Sequence, residues 1–183
     1  MLRKPPCPQH GAASVEFALV AVAFLTVVFG IIEMGRLFYL WNTVQEVTRR
    51  AAREAVVRYV EDAPAIQRYA VFQPDASGVV QLPGAAEISN LAVDIRYLNR
   101  VNASGVGVPA DPLPPSPVDN ITACVSKTPS CINFVEVTVC MGEDGACTPV
   151  QYVPLFGMWP FNLFAVDIPG STVVMPAESL GLL

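Results

Sequence analysis

Charge is scarce in this chain: Asp, Glu, Lys and Arg make up 15% of its 183 residues, where an ordinary soluble domain has about 25%. Histidine is nearly absent, with His10 alone, and lysine occurs only as Lys4 and Lys127. So few imidazoles and amines leave little for general-base or histidine–metal chemistry. No glycine-rich phosphate-binding loop is present. A net charge of −5 and a pI near 4.8 speak against a nucleic-acid partner. What the chain has in excess is apolar surface. Its 52% hydrophobic content and mean hydropathy of +0.45 exclude a disordered chain, and its length suits one domain with a real core.

Proline is missing from one long stretch. Pro5, Pro6 and Pro8 stand at the start, none occurs between Gln9 and Ala63, and the rest follow. A proline-free run with only Gly11, Gly30 and Gly35 in it predicts one long helix joined to a loop-and-strand domain. The boundary is expected near Asp62-Ala63-Pro64. Four segments result: a basic leader over 1–11, a membrane helix with its interfacial end over 12–41, an amphipathic extension over 42–61, and a β-rich head over 62–183.

The apolar excess is concentrated in the second segment. Phe17 to Ile32 holds no charge, and the stretch from Ala12 to Ile32 spans about 31 Å as a helix, matching a bilayer core of about 30 Å. Phe17, Phe24 and Phe29 face that core. Arg3 and Lys4 precede the span, so the positive-inside rule puts the N-terminus in the cytoplasm and the head in the periplasm. Phe38, Tyr39 and Trp41 form an aromatic belt at the far interface, beside Glu33 and Arg36, where an arginine reaches lipid phosphate.

Glu16 is the anomaly of the span. A carboxylate one turn inside an apolar helix costs a few kcal/mol or more unless it is paired or reaches the interface. It stands five residues after Gly11, where the leader meets the helix. Cleavage after Gly11 makes Ala12 the first residue and Glu16 the fifth. The new α-amino group is cationic at neutral pH, and a fifth-position carboxylate on a staggered neighbouring subunit neutralises it in an apolar assembly. A secretory signal cut after Ala21-Val22-Ala23 is the competing reading, but Glu16 would interrupt its short apolar region.

At these residues the chain resembles the type IV pilin superfamily. More closely, GAASVEFALV running into FGIIEMGRLFYLWNTVQEVTRRAAREAVV is similar to the TadE-like minor pseudopilins of tight-adherence pilus systems. Toward the end, Tyr152, Pro154 and the segment IPGSTVVMPAESL resemble that family's closing strands. The resemblance implies a leader removed by a membrane-embedded prepilin peptidase after Gly11, with Glu16 needed for assembly and read by the processing enzyme. It implies other pilins or pseudopilins and inner-membrane lipid as partners. The alternative function is a signal-anchored periplasmic binding or adhesion module that is not processed as a pilin.

Past Glu33 the apolar residues become periodic: Leu37, Leu40, Trp41, Val44, Val47, Ala51, Ala55 and Tyr59 make one stripe, expected to pack on the head in its later half. Glu46–Arg50, Arg50–Glu54 and Glu54–Arg58 are opposite-charge pairs at i,i+4 on the other face. In the head, 65–72 is expected to make one or two helical turns. Strands are expected at 79–82, 91–98, 121–126, 132–141, 150–153 and 171–175, and 105–117, with five prolines, as an extended loop. The whole is an α+β fold with an antiparallel sheet covered by the helix.

Removing the leader takes Cys7 and His10 with it. Four cysteines remain, Cys124, Cys131, Cys140 and Cys147, and an even number on the oxidising side of a membrane implies disulfides. A strand over 131–140 would separate its ends by about 30 Å, which rules out Cys131 with Cys140. Cys124–Cys131 and Cys140–Cys147 both close turns and are favoured, with the crossed pairing open. The x6 gaps are too long for zinc ligands. The mature chain holds no imidazole, and its one lysine, Lys127, sits in a turn, so no enzyme, cofactor or small-molecule substrate is expected. Asn102-Ala103-Ser104 and Asn120-Ile121-Thr122 match the glycosylation pattern.

Overall fold

Helix α1 runs from His10 to Ala55, about 69 Å of continuous helix, in a computed structural model that describes residues 10–141, 147–155 and 166–181. No proline interrupts it, and the two halves differ in environment. Residues 11–32 are exposed or half-exposed. From Glu33 onward one stripe is buried: Glu33, Leu37, Leu40, Val44, Val47, Ala51 and Ala55. These positions recur at steps of three and four, the spacing that keeps side chains on one helix face.

That face packs on a four-stranded antiparallel sheet of order β4-β3-β5-β6, formed by β3 (Val93–Val101), β4 (Gly107–Pro109), β5 (Phe134–Val139) and β6 (Ser171–Pro176). The period-2 alternation of Val135, Val137 and Val139 with Glu136 and Thr138 explains the middle strand, since alternate side chains point to opposite faces. The register builds two apolar rows toward α1: Ile95, Val137 and Val173 in one, Tyr97, Val135 and Met175 in the other. The opposite face carries Asp94, Arg96, Glu136, Thr138 and Thr172, with Thr138 and Thr172 hydroxyls 3.0 Å apart. Helix α2 (Ala63–Ala70) buries Ile66 and Ala70 against the same core. A small hairpin, β1 (Gln81–Leu82) with β2 (Ala85–Ser89), lies lower along α1, where the Tyr39 hydroxyl donates to the Pro83 carbonyl at 3.0 Å.

The α+β architecture is the one the periodicity predicts, and several elements within it differ. Residues 117–125 form a helix, α3 (Pro117–Val125), where a strand is expected at 121–126. Ser116 caps it, its hydroxyl accepting from the Asp119 N–H at 3.2 Å, and Pro117 stands in the first turn, where its fixed φ and missing N–H do no harm. Over 79–82 only two residues pair, and over 150–153 only Gln151 pairs, in a single bridge to Asp167. The proline-rich loop contributes β4, an edge strand at which a glycine is required: a Cβ on Gly107 would collide with the buried Leu98 side chain.

Helix α1 itself ends at Ala55, before the expected proline boundary, and α2 begins at that boundary. The last turn of any helix leaves carbonyls without partners. Here those of Ala52 and Glu54 are met by the N–H groups of Val56 and Arg58, and just past the helix Leu180 N–H donates to the Val56 carbonyl at 3.0 Å and Gly181 N–H to that of Val57 at 2.6 Å. Tyr59 then turns into the core, and its hydroxyl donates to the Pro114 carbonyl at 2.5 Å.

Candidate functional site

The site has two parts, one at each end of the uncharged run of α1. At the N-terminal end the Gly11–Ala12 peptide lies in the first turn of the helix. Gly11, Ala12 and Glu16 are all exposed, and nothing crowds Gly11 within 4 Å of where a Cβ would stand. Beyond them Phe17, Leu19, Val20, Val22, Phe24, Val27 and Ile31 are exposed around the whole circumference of the helix. A helix apolar all round needs a lipid or protein cover, and no residue of the most apolar 18-residue window is buried within the protein. Phe29 is half-buried and already in contact with the rest of the chain.

At the other end the head grips the helix. Glu33 is 2% exposed, and its carboxylate accepts a hydrogen bond from the Tyr152 hydroxyl. One turn on, Arg36 donates to the Val153 carbonyl at 2.6 Å and to Glu87 Oε1 at 2.5 Å, while its guanidinium lies 5.0 Å from the centre of the Tyr152 ring. Glu87 Oε1 also accepts from the Val153 N–H at 3.3 Å. Two carboxylates, one guanidinium and one phenol from three separated parts of the chain thus share a largely dry junction. Burial raises the Tyr152 hydroxyl pKa above its ordinary value, its hydrogen bond to Glu33 adds to that, and Arg36 works the other way. A proton held on Tyr152 keeps it a donor to Glu33.

Arg36 therefore faces the head and not lipid phosphate, the partner expected from its place at the far interface. The reason is its charge partner: Glu87, on β2, is 5% exposed at its side chain, and a buried carboxylate requires a nearby cation. Of the aromatic belt, Phe38 is exposed and packs edge-to-face on Trp41, with ring centres 5.9 Å apart. Trp41 is partly buried against the core, and Tyr39 is tied to Pro83. Glu87 and Val153 had no signal in the sequence. Glu33 did have one, since it stands four residues before Leu37 and so opens the buried stripe.

Arg50 also departs from expectation. Its guanidinium lies over the rings of Tyr69 and Phe72, at 4.0 and 4.8 Å from their centres, a cation–π arrangement. Among the described residues only the Glu54–Arg58 pair forms of the three expected, at 2.5 Å.

The cysteines lie on the head. Cys124, on α3, is bonded to Cys131 with Cα atoms 4.6 Å apart, and Cys140 to Cys147 at 5.3 Å. These are the two turn-closing pairs, within the range for a disulfide. Asn120 is buried, its side-chain oxygen accepting from the Ile132 N–H at 2.8 Å, so its glycosylation pattern is occupied structurally; Asn102 is exposed. Among the described residues no group of His, Cys, Asp and Glu is placed to hold a metal ion.

An exposed N-terminal apolar helix continuous with a disulfide-bonded α+β head fits a single-pass membrane anchor with a folded domain beside the bilayer. Residues 11–53 match the family described as TadE-like protein, which bears out the resemblance read from the sequence over that stretch. The match covers the helix and not the head, and it points to a protein associated with a tight-adherence pilus. No curated protein and no solved structure matches the chain.

Proposed function

We propose that the chain is a minor pseudopilin of a tight-adherence pilus, cleaved after Gly11 by a prepilin peptidase. In this reading the leader is cytoplasmic, the head is periplasmic, and the mature helix begins at Ala12. The observation that carries it is Glu16, a carboxylate one turn into a helix whose most apolar 18-residue window has no residue buried within the protein. Burying that carboxylate in lipid or between helices costs a few kcal/mol. An α-amino group about 4 Å away returns roughly 4 kcal/mol at an effective dielectric of about 20. The cost is offset only when a second subunit brings its amino terminus, so the charge favours assembly over the isolated helix.

The family likeness over residues 11–53 supports the pilus setting. Gly11 and Ala12 then define the processing boundary, Glu16 the assembly carboxylate, and the peptidase and neighbouring pilins the partners. The test is Glu16→Ala as the sole cellular copy. Pilus yield should fall to background while the protein accumulates in the membrane at its normal level. Normal pili from that strain would exclude assembly through this carboxylate.

A further inference from the structure

The head is tied to α1 at successive heights. Tyr59 meets Pro114, Thr48 meets Ser171 at 3.5 Å, Tyr39 meets Pro83, and Glu33 meets Tyr152. The last of these stands beside Ile32, where the uncharged run ends. Arg36, which holds the Val153 carbonyl, is about 4.5 Å further along the helix axis. A bilayer of about 40 to 45 Å with a core of about 30 Å leaves roughly 5 to 7 Å for each interfacial layer. Val153 is thereby fixed at the height of that layer, and the chain continues from it to Leu155.

The surface at that height is unlike a solvated rim. Val153 is 59% exposed, Leu155 60% and Val166 37%, three apolar residues on the two chain segments joined by the Gln151–Asp167 bridge. The described residues of this rim, Val153, Pro154, Leu155 and Val166, carry no charge, the composition expected of a surface that meets the membrane interface. Asp167, the first charge after it, is already on the bridge.

From the height, the exposure and the missing charge we infer that this membrane-proximal rim of the head, at Val153, Leu155 and Val166, is a second lipid-contacting surface, seated in the interfacial layer beside the helix. The bilayer is the occupant because the rim continues the lipid-facing surface of α1 at the height where the hydrocarbon ends. The Glu33–Tyr152 and Arg36–Glu87 contacts then have a mechanical role: they hold the head down on the membrane at a fixed tilt, so that the helix and head present one rigid orientation to neighbouring subunits. This inference rests on α1 being the membrane anchor.

The test uses the full chain with Cys7→Ser, which leaves the four paired cysteines, reconstituted into phosphatidylcholine–phosphatidylglycerol vesicles. Single cysteines at Leu155→Cys, Val153→Cys and Val166→Cys carry a nitroxide. Val22→Cys serves as the mid-span reference and Val106→Cys, exposed on the β3–β4 turn, as the reference for water. Collision with dissolved oxygen is compared with collision with a water-soluble nickel chelate. The three rim labels should favour oxygen, as Val22 does, while Val106 favours the chelate. Rim labels that behave like Val106 while Val22 stays embedded would overturn the inference alone, and rim labels shielded from both reagents would do so by putting protein against the rim. A chelate-accessible Val22 would instead overturn the anchor on which the inference rests. Using three rim sites keeps the result readable if one variant fails to fold.

Discussion

Arg36 illustrates how a residue's role is decided by partners far away in sequence. Its position after an apolar run fits a lipid-facing cation, yet Glu87, 51 residues on, and Val153, 117 residues on, turn it inward. At 14% side-chain exposure the guanidinium is too dry to lose its counter-ion cheaply. Glu87→Ala should destabilise the head–helix junction by about 3 kcal/mol, the cost of leaving one member of a buried ion pair unmatched. The double variant Arg36→Met with Glu87→Met should recover much of that loss, since removing both charges removes the desolvation penalty as well. Thermal denaturation in detergent checks both, and a double variant no more stable than Glu87→Ala would contradict the pairing. Glu16 differs from Arg36 in this respect. Among the described residues no hydrogen bond or ion pair joins it to the head, so its anomaly was visible in the sequence and stays visible in the fold.

At the scale of elements, what could be read from the sequence was periodicity. The stripe from Leu37 to Ala55 and the alternation of β5 are spacing patterns that packing obeys, so α1 and the central strand followed directly. Helix α3 did not, because Ile121, Thr122 and Val125 are β-branched and favour a strand on propensity alone. The deciding signal was local chemistry: Ser116, Pro117 and Asp119 are a helix start, and this outweighed propensity over nine residues. Ser116→Ala should cost about 1 kcal/mol, expressed mainly at the start of α3, since the Cys124–Cys131 bond holds its other end. Amide exchange at Asp119 and Asn120 should speed up while that of β5 is unchanged; equal effects on both would mean that the cap supports the whole head. The single bridge at Gln151 reflects another limit: a short apolar run such as 150–153 carries no information about whether a partner strand lies beside it.

For the whole molecule, the scarcity of charge now has physical locations. One is the run from Ala12 to Ile32, whose side chains are exposed or half-exposed. Another is the head itself, in which 15 of the 122 residues from 62 to 183 are charged. The structure accounts for part of this scarcity through the core against α1 and shows another part as exposed apolar side chains at Val153, Leu155 and Val166. The anchor, the fold class and the position of Glu16 were legible because each depends on residues close together in the chain. The junction at Glu33 was not, because its members come from α1, β2 and the segment around residue 152.

Whether the chain is a processed pilus subunit is decided by the mass of the membrane-extracted protein. The expected mature chain has lost residues 1–11 and begins at Ala12, with Cys7 and His10 gone and the four remaining cysteines oxidised. A chain that still begins at Met1 in cells making the peptidase would contradict it.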